Sequence, residues 1–356
     1  MEPIVIARAP GHISLGFADS PDLAPGEDLG EALISVAVNH HAYAIVTPSR
    51  DKDIRIACAE HNAAPDDDPM WGAELALPKA IARFLGVREG LSVLLCAQAP
   101  LRSGLGLSGS LTVSMVKALA FSCGLDLEAG EVAELAVSAM ADTLGLASDG
   151  QHLHAAAYGG LNVINRARDQ VQVEPLRLSA EVRQSLEAQL MLFEADCPTC
   201  LHSSKSYRSC TEMRDPAPAP SIQARRETCQ SARLALEQGD LTAFADSLHW
   251  LWPERHRAAE ASNDPFAVEC YQIARDNGAI GGQLIGARQR GFLLLCPEAH
   301  QQRVTDSLTA LGLQRWPLAL EEQGVQVMEA VSRAGEISLP PIMQTLQRGI
   351  HLPQTQ

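Results

Sequence analysis

The residues with the clearest chemical potential run from Pro100 to Ser110, where Pro-Leu-Arg-Ser-Gly-Leu-Gly-Leu-Ser-Gly-Ser joins a strand pattern to a helix pattern. Backbone amides in such a turn, together with the positive end of the following helix, suit a phosphate. Ser103, Gly104, Gly106, Ser108 and Ser110 are placed to contribute, although the same turn alone also reads as an ordinary strand-to-helix connection. Histidines form a second set. His12, His152 and His154 bear rings that act as general bases or transition-metal ligands, and separate packing and hydrogen-bonding roles are the simpler reading of three scattered imidazoles. Arg288 and Arg290 flank Gln289, and their guanidinium forks suit a phosphate or carboxylate; a filled cleft or an exposed basic turn is the alternative. Cys197 and Cys200, with His202 and Cys210 nearby, make a lone CxxC without a second pair, which we read as structural thiols rather than a zinc site.

Strands and helices must carry these groups. Ile4–Ala9 reads as a strand, Ala32–Val46 as two strands around His40 and His41, and Ser92–Gln98 as a buried strand. Helical spacing spans Met70–Leu85 up to Gly86, an apolar helix covers Ser110–Cys123, and an amphipathic one covers Glu128–Leu144. A strand at Gly159–Asn165 leads into a polar hairpin over Arg166–Glu174. A domain boundary is expected near residues 175–190, giving domains over 1–180 and 181–356. The second half opens with a strand at Leu190–Glu194, and a Pro/Ala loop follows at Asp215–Pro220. Helices are expected at Ile222–Gln238, Leu241–Arg257, Pro265–Asn277 and Glu298–Leu311, and strands at Gly281–Ile285, Gly291–Cys296 and Gly324–Ala330, an α+β unit.

Composition narrows the partners. A chain of 356 residues with net charge −15 has the wrong sign for nucleic acid or anionic lipid and fits a small-molecule substrate. No run of about 18 apolar residues is present, and the start lacks a basic signal segment, so a cytoplasmic protein is expected. Nine scattered cysteines argue for reduced thiols. The apolar helices of the second half suit either a homodimer contact or core packing.

Three segments together resemble the GHMP small-molecule kinases. Arg8-Ala-Pro-Gly-His-Ile-Ser14 is similar to that family's first motif, Pro100–Ser110 to its second, and Gly281-Gly-Gln-Leu-Ile-Gly-Ala-Arg-Gln-Arg-Gly-Phe-Leu-Leu-Leu295 to its third. Gly30–Asn39, Ala155–Asn162 and the spacing of His249, Trp252 and Arg255 resemble the heptose-7-phosphate (sugar) kinase branch most closely. The resemblance implies a two-domain α+β fold, with an N-terminal ribosomal-protein-S5-like α/β domain and a C-terminal ferredoxin-like α+β domain, and ATP between them. It places Ser103, Gly104, Gly106, Ser108 and Ser110 around the nucleotide, Ser108 at Mg²⁺, and Asp22 near the acceptor substrate.

The chain departs from the pattern where the family's charges sit. Catalytic aspartate becomes His152, the magnesium-binding glutamate becomes Met140, and the basic residue of the first motif becomes His12. Neutral imidazole still serves as a general base, whereas a thioether is a poor ligand for a hard cation. Asp149 is the preferred substitute acid, with capping of the helix at Gln151 as its plainer role. These residues imply either an ATP-dependent kinase of a sugar phosphate or similar polar anion, with His152, Asp149 and His12 catalytic and Arg288 and Arg290 on the substrate, or a repurposed fold that binds a small ligand.

Overall fold

The computed structural model describes residues 4–15, 31–49, 54–59, 75–87, 90–100, 103–144, 150–167, 170–195, 222–260, 265–285 and 291–331. Asp22, Asp149, Arg288, Arg290, the Cys197–Cys210 cluster and the Asp215–Pro220 loop lie outside them.

The first layer is a sheet seeded by two long strands, β1 (Ile4–Ser14) and β2 (Glu31–Pro48), joined by β3 (Arg55–Cys58) and, after helix α1 (Ala76–Phe84), by β4 (Leu91–Ala97). Helices α2 (Leu107–Ser122), α3 (Ala129–Leu144) and α4 (Gln151–Tyr158) precede the hairpin of β5 (Leu161–Ala167) and β6 (Gln170–Pro175). β2 is one strand, not the two expected. Its first part, Glu31–Val36, pairs with β5 and its second, Ala42–Pro48, with β4. Against β1 the register steps from Pro10↔His41 to Gly11↔Val38, so Asn39 and His40 are extra residues in a bulge. That bulge is what made the sequence look interrupted.

α2 is buried on nearly every side because it lies between this sheet and α1, α3 and α4. Its hydroxyls are satisfied by carbonyls one turn back, Thr112 to Ser108 at 2.9 Å and Ser122 to Ala118 at 2.7 Å. Lys117, also buried, donates to Asp126 at 2.6 Å and to the Leu127 carbonyl at 2.5 Å.

The second layer follows α5 (Ala180–Gln189), a helix not expected from the sequence, which opens on a Ser179 cap accepting from Val182 at 3.2 Å. It contains β7 (Leu190–Ala195), α6 (Ile222–Gln238), α7 (Leu241–Glu260), α8 (Pro265–Asp276), β8 (Gly281–Ile285), β9 (Gly291–Leu295), α9 (Glu298–Ala310) and β10 (Leu313–Trp316). The order β10-β7-β9-β8, all antiparallel, is the ferredoxin-like arrangement. β8 and β9 are buried throughout, with Phe193, Phe292 and Leu294 packing toward Tyr271 and Val304.

The chain then returns. Residues 317–325 form a strap from the second sheet to β11 (Gln326–Val331), which pairs with β1. The strap fills the bulge of β2: Asn39 exchanges two hydrogen bonds with Ala319 at 3.0 Å, and the His40 ring lies 2.8 Å from the Pro317 carbonyl. It also crosses the end of α4, where a Cβ on Gly324 would sit 2.0 Å from the Ala157 carbonyl oxygen.

Glu321 anchors the strap by accepting from the amides of Glu322 (2.8 Å) and Gln323 (3.0 Å) and facing His41 Nε2 at 3.2 Å. Burial pushes its pKa up, but those amides and His41 outweigh burial and hold it below the ordinary value of 4.5. A depressed folded value means that this stabilisation is complete above the ordinary glutamate range and is lost as pH falls through the folded value. Urea unfolding of Glu321→Gln should therefore show a flatter loss of stability below pH 4.5 than the parent; superimposable acid limbs would refute the anchoring role.

Candidate active site

β1 and the glycine turn are tied together by the backbone. The His12 amide donates to the Leu105 carbonyl at 2.8 Å, and the Ser110 hydroxyl donates to the Pro10 carbonyl at 2.7 Å. Leu105 and Leu107 are fully buried pegs on either side of Gly106, which caps α2 in the left-handed region at φ 63°. α2 thus starts three residues earlier than expected, so Ser108 and Ser110 belong to its first turn and the turn proper is Ser103–Gly106. The helix presents its first-turn amides and positive end at the loop. Ser108 is part-exposed there. Ser110 has no exposed surface and its hydroxyl is engaged with Pro10, so the structure makes it a tie between the first two motifs instead of a ligand contact. Ser103 is buried, and its hydroxyl has no hydrogen-bond partner among the described residues.

His12 is 2% exposed and lies flat against this turn: a Cβ placed on Gly106 would fall 2.1 Å from its Cε1. Its Nε2 is 3.0 Å from Nδ1 of His152, with ring centroids 5.3 Å apart. An imidazole-to-imidazole hydrogen bond needs one donor and one acceptor nitrogen, so the pair holds together when neutral or singly charged and not when both rings are protonated. α4 delivers His152 to this position, and its cap is Gly150 at φ 74° with no side-chain cap. Asp149, expected to cap this helix or to serve as an acid, lies outside the described residues.

His154 points away from this pair. It is buried, its Nδ1 lies 2.9 Å from the Gly150 carbonyl and its Nε2 3.3 Å from Glu134. The described residues contain no group of three His, Cys, Asp or Glu suited to a metal. Met140 is half-buried and packs against the main apolar core.

The second sheet closes the site from the other side. A Cβ on Gly291 would be 3.1 Å from the Ser103 carbonyl oxygen, so the start of β9 abuts the glycine turn. Gln283, in the middle of β8 and fully buried, donates through Nε2 to the Ser14 carbonyl at the end of β1. Sequence reasoning passed over Gln283 and Ser14; the available signal was a lone amide within the apolar strand Gly-Gly-Gln-Leu-Ile.

Comparison with known proteins bears on the fold. Residues 75–160 match the family model of the GHMP kinases N terminal domain. A D-glycero-alpha-D-manno-heptose 7-phosphate kinase of Campylobacter jejuni is 28% identical over 195 residues, a stretch covering 54% of this chain and 57% of that protein. The fold is shared with a Campylobacter jejuni protein described as a putative sugar kinase (TM-score 0.73, 20% identity, 93% of this chain and 99% of that one). It is shared too with a D-glycero-D-manno-heptose 1-phosphate kinase from Bacteriodes thetaiotaomicron (0.69, 21%, 92% and 100%) and with Lactococcus lactis galactokinase (0.63, 15%, 91% and 95%). The two-domain α+β fold implied by the three motifs is the fold found. No helix among the described residues is long and apolar enough to cross a membrane.

Proposed function

We propose that this chain, whose residues 75–160 match the GHMP kinases N terminal domain, catalyses ATP-dependent phosphorylation of a hydroxyl on a sugar phosphate or comparably polar, anionic small molecule. The observation that carries this reading is the His12–His152 hydrogen bond directly over Gly106, at the positive end of α2. Phosphoryl transfer needs positioning and charge neutralisation more than covalent chemistry, and a base beside a helix start supplies a place for both reactants.

The turn Ser103–Gly106, the start of α2 and the Ser103 hydroxyl, without a hydrogen-bond partner among the described residues, support a cradle for phosphate oxygens. Bound ATP and Mg²⁺ would supply the transferable phosphoryl group and charge neutralisation. Gly104, Gly106 and Ser108 would hold the phosphates, and Ser108 would offer the metal a hydroxyl. Met140 cannot bind a hard cation, which leaves Asp149, water or phosphate oxygens to complete its shell. His152 accepts the proton of the acceptor hydroxyl, and His12 holds its ring in register through the 3.0 Å contact. Asp22, Arg288 and Arg290 bind the acceptor's polar and anionic ends, with residues 1–180 holding the nucleotide and 181–356 facing it. The net charge of −15 fits a cytoplasmic enzyme without nucleic-acid partners.

Thermal unfolding with and without ATP and Mg²⁺ tests the nucleotide site. Ligand at a hundredfold excess over Kd stabilises by about 2.7 kcal/mol. A magnesium-dependent rise in Tm that shrinks in Ser108→Ala is expected, and no shift with ATP or ADP would sink the proposal.

Two observations favour a second reading, a repurposed ligand-binding protein: the His12 ring occupies the space over Gly106, and Met140 sits in apolar surroundings at the family's acid position. Nucleotide binding indifferent to Mg²⁺, without transfer to any sugar phosphate, is the result that reading requires.

A further inference from the structure

Where the two sheets meet beyond the histidine pair, polar atoms are left over. Gln283 has no exposed surface and uses Nε2 on the Ser14 carbonyl, yet its Oε1 has no hydrogen-bond partner among the described residues. The Ser14 hydroxyl is likewise buried and unpartnered, although Ser14 as a residue is part-exposed, so solvent reaches the seam there. A buried amide oxygen without a partner is destabilising, and an apolar residue of similar volume in β8 would avoid that cost. Leu284, the next residue, joins the apolar cluster on the other face of the same strand.

Position gives the leftover atoms a direction. Ser14 is two residues beyond His12 on β1, and in a strand residues two apart project to the same face. Along β8, Gln283 is two residues before Ile285, whose partner Gly291 abuts the Ser103 carbonyl. The glycine turn, the His12–His152 pair and the Ser14–Gln283 pair therefore follow one another along the seam between the sheets. Chemically, the last pair offers an acceptor that can only receive, Gln283 Oε1, and a hydroxyl that can donate. A ligand hydroxyl matches both: it donates to Gln283 and accepts from Ser14.

We propose that Ser14 and Gln283 form a polyol subsite that reads a hydroxyl of the acceptor, making Gln283 a specificity-determining residue. This rests on the kinase reading for its place in the reaction, though hydroxyl recognition itself does not require transfer. A carbonyl or carboxylate at the same point would oppose Gln283 Oε1 acceptor to acceptor.

The experiment measures binding of C3 to C7 sugar phosphates by calorimetry, with and without ATP and Mg²⁺, for the parent, Ser14→Ala and Gln283→Met. Transfer is measured alongside. The expected result is at least a tenfold loss of sugar-phosphate affinity in both variants, with the ATP-dependent Tm shift unchanged and, where turnover occurs, a raised acceptor KM at similar kcat. Ser14→Ala keeps the Gln283 contact to the Ser14 carbonyl and so guards against misfolding of Gln283→Met. Sugar-phosphate affinity within twofold of the parent in Ser14→Ala overturns the subsite, and a lowered Tm with unchanged binding assigns the atoms to a buried water instead. An ATP-dependent Tm shift without binding of any sugar phosphate overturns it while leaving the nucleotide site standing. Affinity lost in both variants of a chain that transfers nothing upholds the subsite and removes the kinase reading.

Discussion

Gly106→Ala is expected to destabilise the fold by about 2–4 kcal/mol and to dismantle the histidine pair. Two effects add. A non-glycine residue in the left-handed region costs roughly 1–2 kcal/mol, and Gly106 stands at φ 63°. The new methyl would also fall 2.1, 2.4 and 2.6 Å from Cε1, Nδ1 and Nε2 of His12. The ring cannot retreat with its backbone, because the His12 amide is held by the Leu105 carbonyl at 2.8 Å. It must rotate, and rotation separates Nε2 from His152. Urea denaturation gives the first quantity and imidazole proton resonances the second; a change below about 1 kcal/mol with unchanged histidine resonances would mean that the ring does not lie on the turn.

Loss of the base should be the largest effect on turnover. His152→Ala is expected to lower transfer by about 10²–10⁴-fold while the ATP-dependent Tm shift persists, since general-base contributions are of that size. His152→Asp separates base from scaffold. A carboxylate accepts from His12 Nε2 whether that ring is neutral or charged, whereas the parent pair is broken once both rings carry protons. The aspartate variant should therefore regain much of the activity lost in His152→Ala and keep it at more acidic pH than the parent. Transfer by His152→Ala within threefold of the parent would remove His152 from the chemistry.

Much of the fold was legible because glycine and helical periodicity punctuate it. α6, β8 and the start of α8 fall where the sequence placed them, and Gly86, at φ 73°, ends α1 as expected. β3 and β10, four residues each, were missed: Arg-Ile-Ala-Cys and Leu-Gln-Arg-Trp are too short to show a period, and tertiary pairing alone makes them strands. β2 was split at the polar pair His40 and His41, and the partners that keep it extended come from a strap some 280 residues away. The site follows the same rule. His12 and His152 each stood out against the family pattern, but their contact spans 140 positions and no local signal announces it. Gln283 was hidden for the opposite reason, being one polar residue in a strand whose pattern otherwise says core.

The return of β11 to β1 has a consequence for the newborn chain. Ile4 leaves the ribosome 327 residues ahead of its partner Val331. At about 5–20 residues per second, β1 waits on the order of tens of seconds with one edge unpaired. An open edge bearing Ile4, Val5 and Ile6 is a template for pairing with a neighbouring nascent chain. Assembly of the first sheet is thus completed after the second half has emerged, and a chain cut before Gln326 should accumulate as aggregate instead of as a folded N-terminal domain.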